Sequence, residues 1–436
     1  MAHPMIRDPY EIEPLAGPVD ATVVVPGSKS ITNRALVCAA LASGTSTLDG
    51  VLLADDTEAM IDCLGALGLE VDVDRTVRRL RIRGGAGTLP RTTAALDARL
   101  SGTTSRFIAP MLALGDGPYR LDGGRPLRAR PMAPGLRALV ELGATVVEES
   151  EPGHLPVSIG GGAVNGGEIR LPADLSSQFA SGLLLVAPCL ERGLVVRLDG
   201  DVVSRSYLDM TVAVMEQFGA RVEQPDPRTF VVAPGGYEAT DVHIEPDASA
   251  ASYFFAAAVI AGGRVRIDGL GLSSLQGDLA FVDVLGDMGA TVELGSDYTE
   301  VTSARTLHGI TVDMGDLSDT AQTLAAVAVF ADGPTEVTGI GFIRRKETDR
   351  IAAVVTELRR CGIDATETDD GFRIVPGPLR AATIETYDDH RMAMSFALLG
   401  LRAPGICIAD PGCVAKTFPT YWDALDGLRN PRAPGD

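Results

Sequence analysis

The chain has 436 residues, 45% of them hydrophobic, and a formal net charge of −20 with a sequence pI near 4.7. That length exceeds what one core normally organises, so two domains are expected. The acidic balance excludes nucleic acid and anionic membrane as partners, since both call for a broad basic face; a small anion in a locally basic pocket stays open.

The opening stretch "MAHPMIRDPYEIEPLAG" has neither the apolar run of a signal peptide nor the acid-poor composition of a transit peptide. A spare strand follows, "ATVVVPG", and then a repeat begins. Strands ending in a turn recur as "TSTLDG", "PYRLDG", "VVRLDG", "VRIDG", "TEVTG" and "CIADPG", with the turn residue at Asp49, Asp122, Asp199, Asp268, Thr338 and Asp410, spaced 73, 77, 69, 70 and 72 apart. Before each runs a helix apolar almost all round, such as "FASGLLLVAPCL" or "MAMSFALLGL", which reads as buried. After each comes a helix with one apolar stripe and charged flanks, such as "TDRIAAVVTELRRCG". These cover helices end at Gly68, Gly143, Gly219, Gly289 and Gly362, placed as left-handed caps ahead of two further strands.

The sixth unit lacks its closing strands, so the N-terminal segment is expected to complete the C-terminal half. The predicted domains are 27–243, with three units, and 1–26 joined to 244–436, with the other three. The cysteines (Cys38, Cys63, Cys189, Cys361, Cys407, Cys413) form no CxxC pair, so a disulfide framework or metal site is not expected, and the expected setting is reducing cytoplasm. No apolar run of about 18 residues exists to span a membrane.

Polar residues fall at the same place in each unit. The buried helices start with "PGSKSITNR", "LSGTTSR", "DLSSQF", "PDASAAS", "LSDTAQ" and "YDDHRM"; the cover helices start near "ADDTE", "RARPM", "VVSRSY", "SLQGD", "RRKETDR" and "VAKTFP". A helix start carries partial positive charge and unpaired N–H groups, so it suits an anion. Lys29, Arg34, Arg106, Arg130, Lys346, Arg350, Arg391 and Lys416 lie near such starts, where a bare cation costs about 0.3–1 kcal/mol. Pairing with local acids (Glu347, Asp349, Asp388, Asp389) would explain any one of them; the recurrence favours a bound multivalent anion. Likewise Ser101, Thr103, Ser176, Ser177, Ser204 and Ser318 read singly as helix caps and together as a ring of hydroxyls for phosphate or carboxylate oxygens. His390, beside Arg391 and two aspartates, is a further candidate. There is no GxxxxGK[ST] loop for a nucleoside triphosphate.

"PGSKSITNRAL", "SGTTSRF", "SSQF", "KETDR", "DDHRMAM" and "AKTFP", in that order from residue 26 to 419, resemble the signature segments of the 5-enolpyruvylshikimate-3-phosphate synthases. The resemblance implies an α/β fold of two domains, each of three repeated units around buried parallel helices (an inside-out α/β barrel); a monomer with neither cofactor nor metal is expected. It implies transfer of the enolpyruvyl group of phosphoenolpyruvate to the 5-hydroxyl of shikimate 3-phosphate, with the two domains closing on the substrates. By the same resemblance Lys29 touches both substrates; Ser30 and Arg34 hold the shikimate carboxylate; Ser176, Ser177 and Ser204, with Gln178 and Tyr207 beside them, surround its phosphate. Arg130, Arg350, Arg391 and Lys416 clamp phosphoenolpyruvate, Gln178 borders it, and Gly102 lets it approach the backbone. Asp319 and Glu347 move protons with Lys29 or Lys416 sharing, Lys346 faces the shikimate substrate along with Asp319, and His390 joins the catalytic group. Glyphosate is expected to compete with phosphoenolpyruvate.

The chain departs from the pattern at Phe342, where Asn is frequent, at Leu100, and at Phe107, where Pro is common. Two rivals are the sister UDP-N-acetylglucosamine 1-carboxyvinyltransferases, whose reactive Cys is missing from "DGGRPLRARP", and a non-catalytic anion-binding relative, which would tolerate neutral residues at Asp319, Glu347, Lys29 and Lys416.

Overall fold

The computed structural model describes residues 7–162, 164–172, 176–200 and 202–429. The backbone gathers into two compact units: Gly27–Glu245 is one, and the segment ending at Pro26 joins the chain from Pro246 onward as the other.

Within Gly27–Glu245 three sheets share one plan. A short strand leads into a buried helix, the next strand pairs parallel to the first, and a cover helix and an antiparallel hairpin complete the sheet. In the second sheet Ala94–Asp97 lies parallel to Tyr119–Asp122, followed by Val157–Gly160 and Thr145–Glu148. In the third, Gly167–Pro172 lies parallel to Leu194–Asp199, followed by Thr229–Val232 and Val222–Asp226. The first sheet takes its parallel strands from the far end of the unit: Tyr237–Glu238 and Asp241–His243 pair with Ala42–Asp49 in the register Tyr237↔Ala42 and Val242↔Leu48. A parallel pair needs a crossover, and in the second and third sheets the buried helix supplies it.

The other unit repeats the plan with help from the N-terminal segment, which gives two strands. Val19–Thr22 runs parallel to Gly263–Asp268 in the fourth sheet, and Tyr10–Glu11 pairs antiparallel with Ile406–Ile408 in the sixth, where the chain has no hairpin of its own. The sequence suggests one spare strand at "ATVVVPG"; the ladder begins earlier, at Val19, and ends as Val23 donates to the Arg266 carbonyl at 2.8 Å. Apart from "ATVVVPG", which leads into Lys29–Leu41, the strands that enter the buried helices have no counterpart in the sequence reading. At three to six residues, as in Thr311–Asp313 and Ala382–Ile384, they are too short for alternation to show.

The buried helices are Lys29–Leu41, Gly102–Leu112 and Ser177–Val186 in one unit and Ala248–Ala261, Ala321–Ala328 and His390–Gly400 in the other. Almost every residue in them is inaccessible, which accounts for their lack of a polar face. They pack at close range: a Cβ on Gly182 would stand 2.4 Å from the Arg106 carbonyl oxygen. Ser28, Ser101, Ser176, Asp247 and Asp389 cap five of them by accepting a backbone N–H of the first turn. The cover helices, among them Asp55–Ala66, Arg205–Gln217 and Arg350–Arg360, bury one stripe, and the five glycines behind the cover helices all have positive φ, from 81° at Gly362 to 107° at Gly289. Among the described residues no helix is long and apolar enough to cross a membrane.

Candidate active site

The starts of the buried helices in Gly27–Glu245 gather hydroxyls and cations. Arg34 is enclosed at the second turn of Lys29–Leu41: Nε donates to Thr211 Oγ1 at 2.7 Å, Nη1 to the Ser30 carbonyl at 2.9 Å, and Nη2 to the Tyr207 carbonyl at 3.0 Å and Ser181 Oγ at 3.5 Å. Phe107 and Tyr207 lie against it, with ring centroids 5.3 and 5.9 Å from Cζ. Among the described residues its hydrogen-bond partners are all neutral, and burial pulls the guanidinium down to about 10, only partly opposed by Tyr207 and Cys38.

The neighbouring groups follow the same helix starts. Lys29, the first residue of its helix, has Nζ 3.6 Å from Asp56. Gln178 accepts from Arg106 Nη1 at 2.6 Å and donates to Thr103 Oγ1 at 3.2 Å, while the Arg106 guanidinium rests on the Phe179 ring at 4.7 Å. Ser176 caps the helix that Ser177 begins, accepting from Gln178 N at 3.3 Å. Ser204, buried and left-handed at φ 54°, precedes Arg205–Gln217, and its carbonyl accepts from Tyr207 N. Arg130 lies against the backbone of Gly102: a Cβ on that glycine would sit 2.7–2.9 Å from the guanidinium.

The unit from Pro246 onward is built differently, around carboxylates. Arg350 opens the helix Arg350–Arg360 and is 1% exposed. Its Nε and Nη2 take both oxygens of Asp389, at 2.7 and 3.2 Å, Nη1 reaches Asp319 at 3.1 Å, and Nη2 also reaches Glu347 at 2.8 Å. Burial lowers the Arg350 affinity for its proton, but Asp389, Glu347 and Asp319 outweigh that and raise it above the ordinary arginine value. Asp319 receives Lys346 Nζ at 2.7 Å on Oδ1 and Arg391 Nη2 at 2.7 Å on Oδ2; Glu347 receives Lys416 Nζ at 3.0 Å. Arg391 also donates to the Asp319 carbonyl at 2.9 Å and lies 3.4 Å from Ser249 Oγ, so the starts of all three buried helices of this unit meet at one guanidinium. His390 is buried with Nδ1 3.5 Å from Asp389. Burial depresses the Lys346 ammonium, Asp319 opposes this, and Arg350 and Arg391 add to it.

The placement revises one expectation. Cations at helix starts were to stand ready for an anion, yet Lys346, Arg350, Arg391 and Lys416 are held by Asp319, Glu347 and Asp389. Local pairing, the plainer reading, describes this unit; Arg34, with its neutral partners, follows the other. "RRKETDR" divides accordingly: Arg344 pairs with Asp349 and Glu367 on the outside, and Lys346, Glu347 and Arg350 turn inward. Ser101 and Ser176 are caps, while Ser318 accepts from Lys346 at 3.3 Å. Sequence reasoning left out Asp389 as a site residue although it stands in "DDHRM", and left out Asp56, Ser181 and Thr211, which carry no signal short of the fold. Phe107 gains a reason as the seat of Arg34, and Phe342 lies under Lys346, its ring centroid 5.5 Å from Nζ.

Repeated α/β units around buried helices, with hydroxyls, cations and shared carboxylates at the helix starts, give the chain the architecture of an enolpyruvyl transferase-like protein. A profile of EPSP synthase (3-phosphoshikimate 1-carboxyvinyltransferase) matches residues 15–425. The chain belongs to that family. It is 48% identical over 416 residues to the 3-phosphoshikimate 1-carboxyvinyltransferase of Nostoc punctiforme, covering 95% of this chain and 98% of the relative, and 42% identical over 415 residues to that of Shewanella denitrificans, covering 94% and 96%. The solved EPSP synthase of Acinetobacter baumannii superposes with a TM-score of 0.81 at 29% identity, covering 96% of this chain and 97% of that one. The enolpyruvyl transferase NikO of Streptomyces tendae, at 19% identity and a TM-score of 0.77 over 96% of each chain, shares the fold.

Proposed function

We infer that the chain is a 3-phosphoshikimate 1-carboxyvinyltransferase that joins the 5-hydroxyl of shikimate 3-phosphate to C2 of phosphoenolpyruvate and releases phosphate, and that its two clusters divide the work. The observation that carries this is the sharing of Arg350 between Asp319 and Glu347, each carboxylate also bound to a lysine, at 2.7 and 3.0 Å. Carboxylates in contact with ammonium groups suit proton transfer in both directions.

The reaction needs both directions. A proton reaches C3 of phosphoenolpyruvate, C2 becomes electrophilic, and the 5-hydroxyl loses its proton as its oxygen bonds to C2. From the tetrahedral adduct a methyl proton leaves, the bond from C2 to the phosphate oxygen breaks, and the vinyl ether remains. Glu347 and Asp319 handle these protons with Lys416 or Lys29 sharing, and His390 belongs to the same cluster through Asp389. Arg130, Arg350, Arg391, Lys416, Lys29 and Gln178 neutralise phosphoenolpyruvate, with Gly102 giving it room. Ser30, Arg34, Ser176, Ser177, Gln178, Ser204, Tyr207, Lys29, Lys346 and Asp319 receive shikimate 3-phosphate. We place this chemistry in the cytoplasm, where the free thiols suit a reducing setting, and in a monomer.

Purified protein mixed with both substrates, without added metal, tests the reading. Phosphate should appear only when both are present, in step with the enolpyruvyl ether. Tight binding of shikimate 3-phosphate without turnover would overturn it in favour of a non-catalytic binding protein, and turnover with UDP-N-acetylglucosamine instead would assign the sister reaction.

A further inference from the structure

The turn that delivers Asp389 and Arg391 is held in an unfavourable backbone conformation. Tyr387 and Asp388 both have φ near 56°, two consecutive non-glycine residues in the left-handed region, which side chains with a Cβ seldom occupy. Asp389 follows at once, closing the turn with its N–H on the Thr386 carbonyl at 2.9 Å. Its carboxylate then takes Arg350 and the Arg391 N–H.

One helix grips this turn at both ends. Arg350 begins Arg350–Arg360 and holds the Asp389 side chain. Two turns on, Glu357 is 0% exposed, and its carboxylate accepts the Tyr387 phenol at 2.7 Å and the Glu385 backbone N–H at 3.1 Å. Arg360 balances the charge, with Nε 2.9 Å away. Residues seven apart share a helix face, so Arg350 and Glu357 span the turn like two fingers. A buried carboxylate used only for a salt bridge to Arg360, which is largely exposed, would not need the turn.

We propose that Glu357, acting through the phenol of Tyr387, is a positioning residue that holds residues 385–389 in their left-handed path and thereby sets Asp389 against Arg350 and Arg391 against Asp319. This rests on the transferase reading for its kinetic consequence but not for its structural one. Asp388 is exposed and has no hydrogen-bond partner among the described residues, so replacing it with glycine removes strain without removing a bond.

The test compares Tyr387→Phe, Asp388→Gly and the double variant. Tyr387→Phe should lower kcat/KM for phosphoenolpyruvate about tenfold while the protein stays folded, and Asp388→Gly added to it should restore the value to within about twofold. Full activity of Tyr387→Phe, or a loss that glycine does not restore, would overturn the proposal and leave Glu357 a structural ion pair. Amide exchange over residues 385–392, read by mass spectrometry, separates this from failure of the functional reading. Exchange should quicken in Tyr387→Phe whether or not the wild-type protein turns over, and unchanged exchange contradicts the positioning role.

Discussion

Two arginines, Arg34 in Gly27–Glu245 and Arg350 in the other unit, are buried as completely as the aromatic core, yet one meets neutral acceptors and the other meets three carboxylates. Burial therefore weakens the hold of Arg34 on its charge and leaves that of Arg350 strengthened. A buried cation without a counter-charge is unfavourable until an anion arrives, which is the behaviour of a binding group. A cation wedged among carboxylates instead fixes their positions, which is what the proposed proton-transfer centre requires. The same repeated unit thus surrounds its buried arginine with neutral groups in one case and with carboxylates in the other.

Breaking Arg350 should have the largest effect. Arg350→Met leaves Asp389, Glu347 and Asp319 close together without their shared cation, and loss of one partner from a buried ion network costs about 3–5 kcal/mol; a fall of that size in the unfolding free energy from urea titration, with loss of turnover, is the expected result. Glu347→Gln keeps the shape and removes the proton-carrying group, so turnover should drop about 100-fold with binding of shikimate 3-phosphate little changed. Arg34→Met should behave in the opposite manner to Arg350→Met. Stability should stay within about 1 kcal/mol of wild type or rise, while the KM for shikimate 3-phosphate rises about 10- to 100-fold for loss of a charged hydrogen bond. The smallest effect on the native reaction falls at Gly102, where Gly102→Ala pushes the movable end of Arg130 aside. KM for phosphoenolpyruvate should increase about threefold, and inhibition by glyphosate should weaken by more than that, as competition assays on the pair would show.

Much of the plan was legible because it is written in periodic features. Six turns at near-equal spacing and helices apolar on every face show that the cores are helical, and Gly68 to Gly362 mark where cover helices stop. The entering strands were hidden by their brevity, and the return of Tyr237–His243 to the first sheet had no local mark at all. At the site, residue types pointed to the helix starts where these side chains gather but not to who pairs with whom. Arg34 and Arg350 look alike in sequence, each a basic residue near a helix start; only the placement of Thr211, Ser181 and Tyr207 around one, and of Asp319 and Asp389 around the other, separates them.

If the carboxylate-centred cluster moves a proton onto the enolpyruvyl carbon and off again, the reaction run in D2O will record it. Addition followed by elimination passes through a methyl group, so deuterium should enter the vinyl position of the product, and Glu347→Gln should slow that entry in step with phosphate release. A product formed at the wild-type rate with no deuterium in its vinyl group would mean that no proton is added at that carbon and would contradict the account.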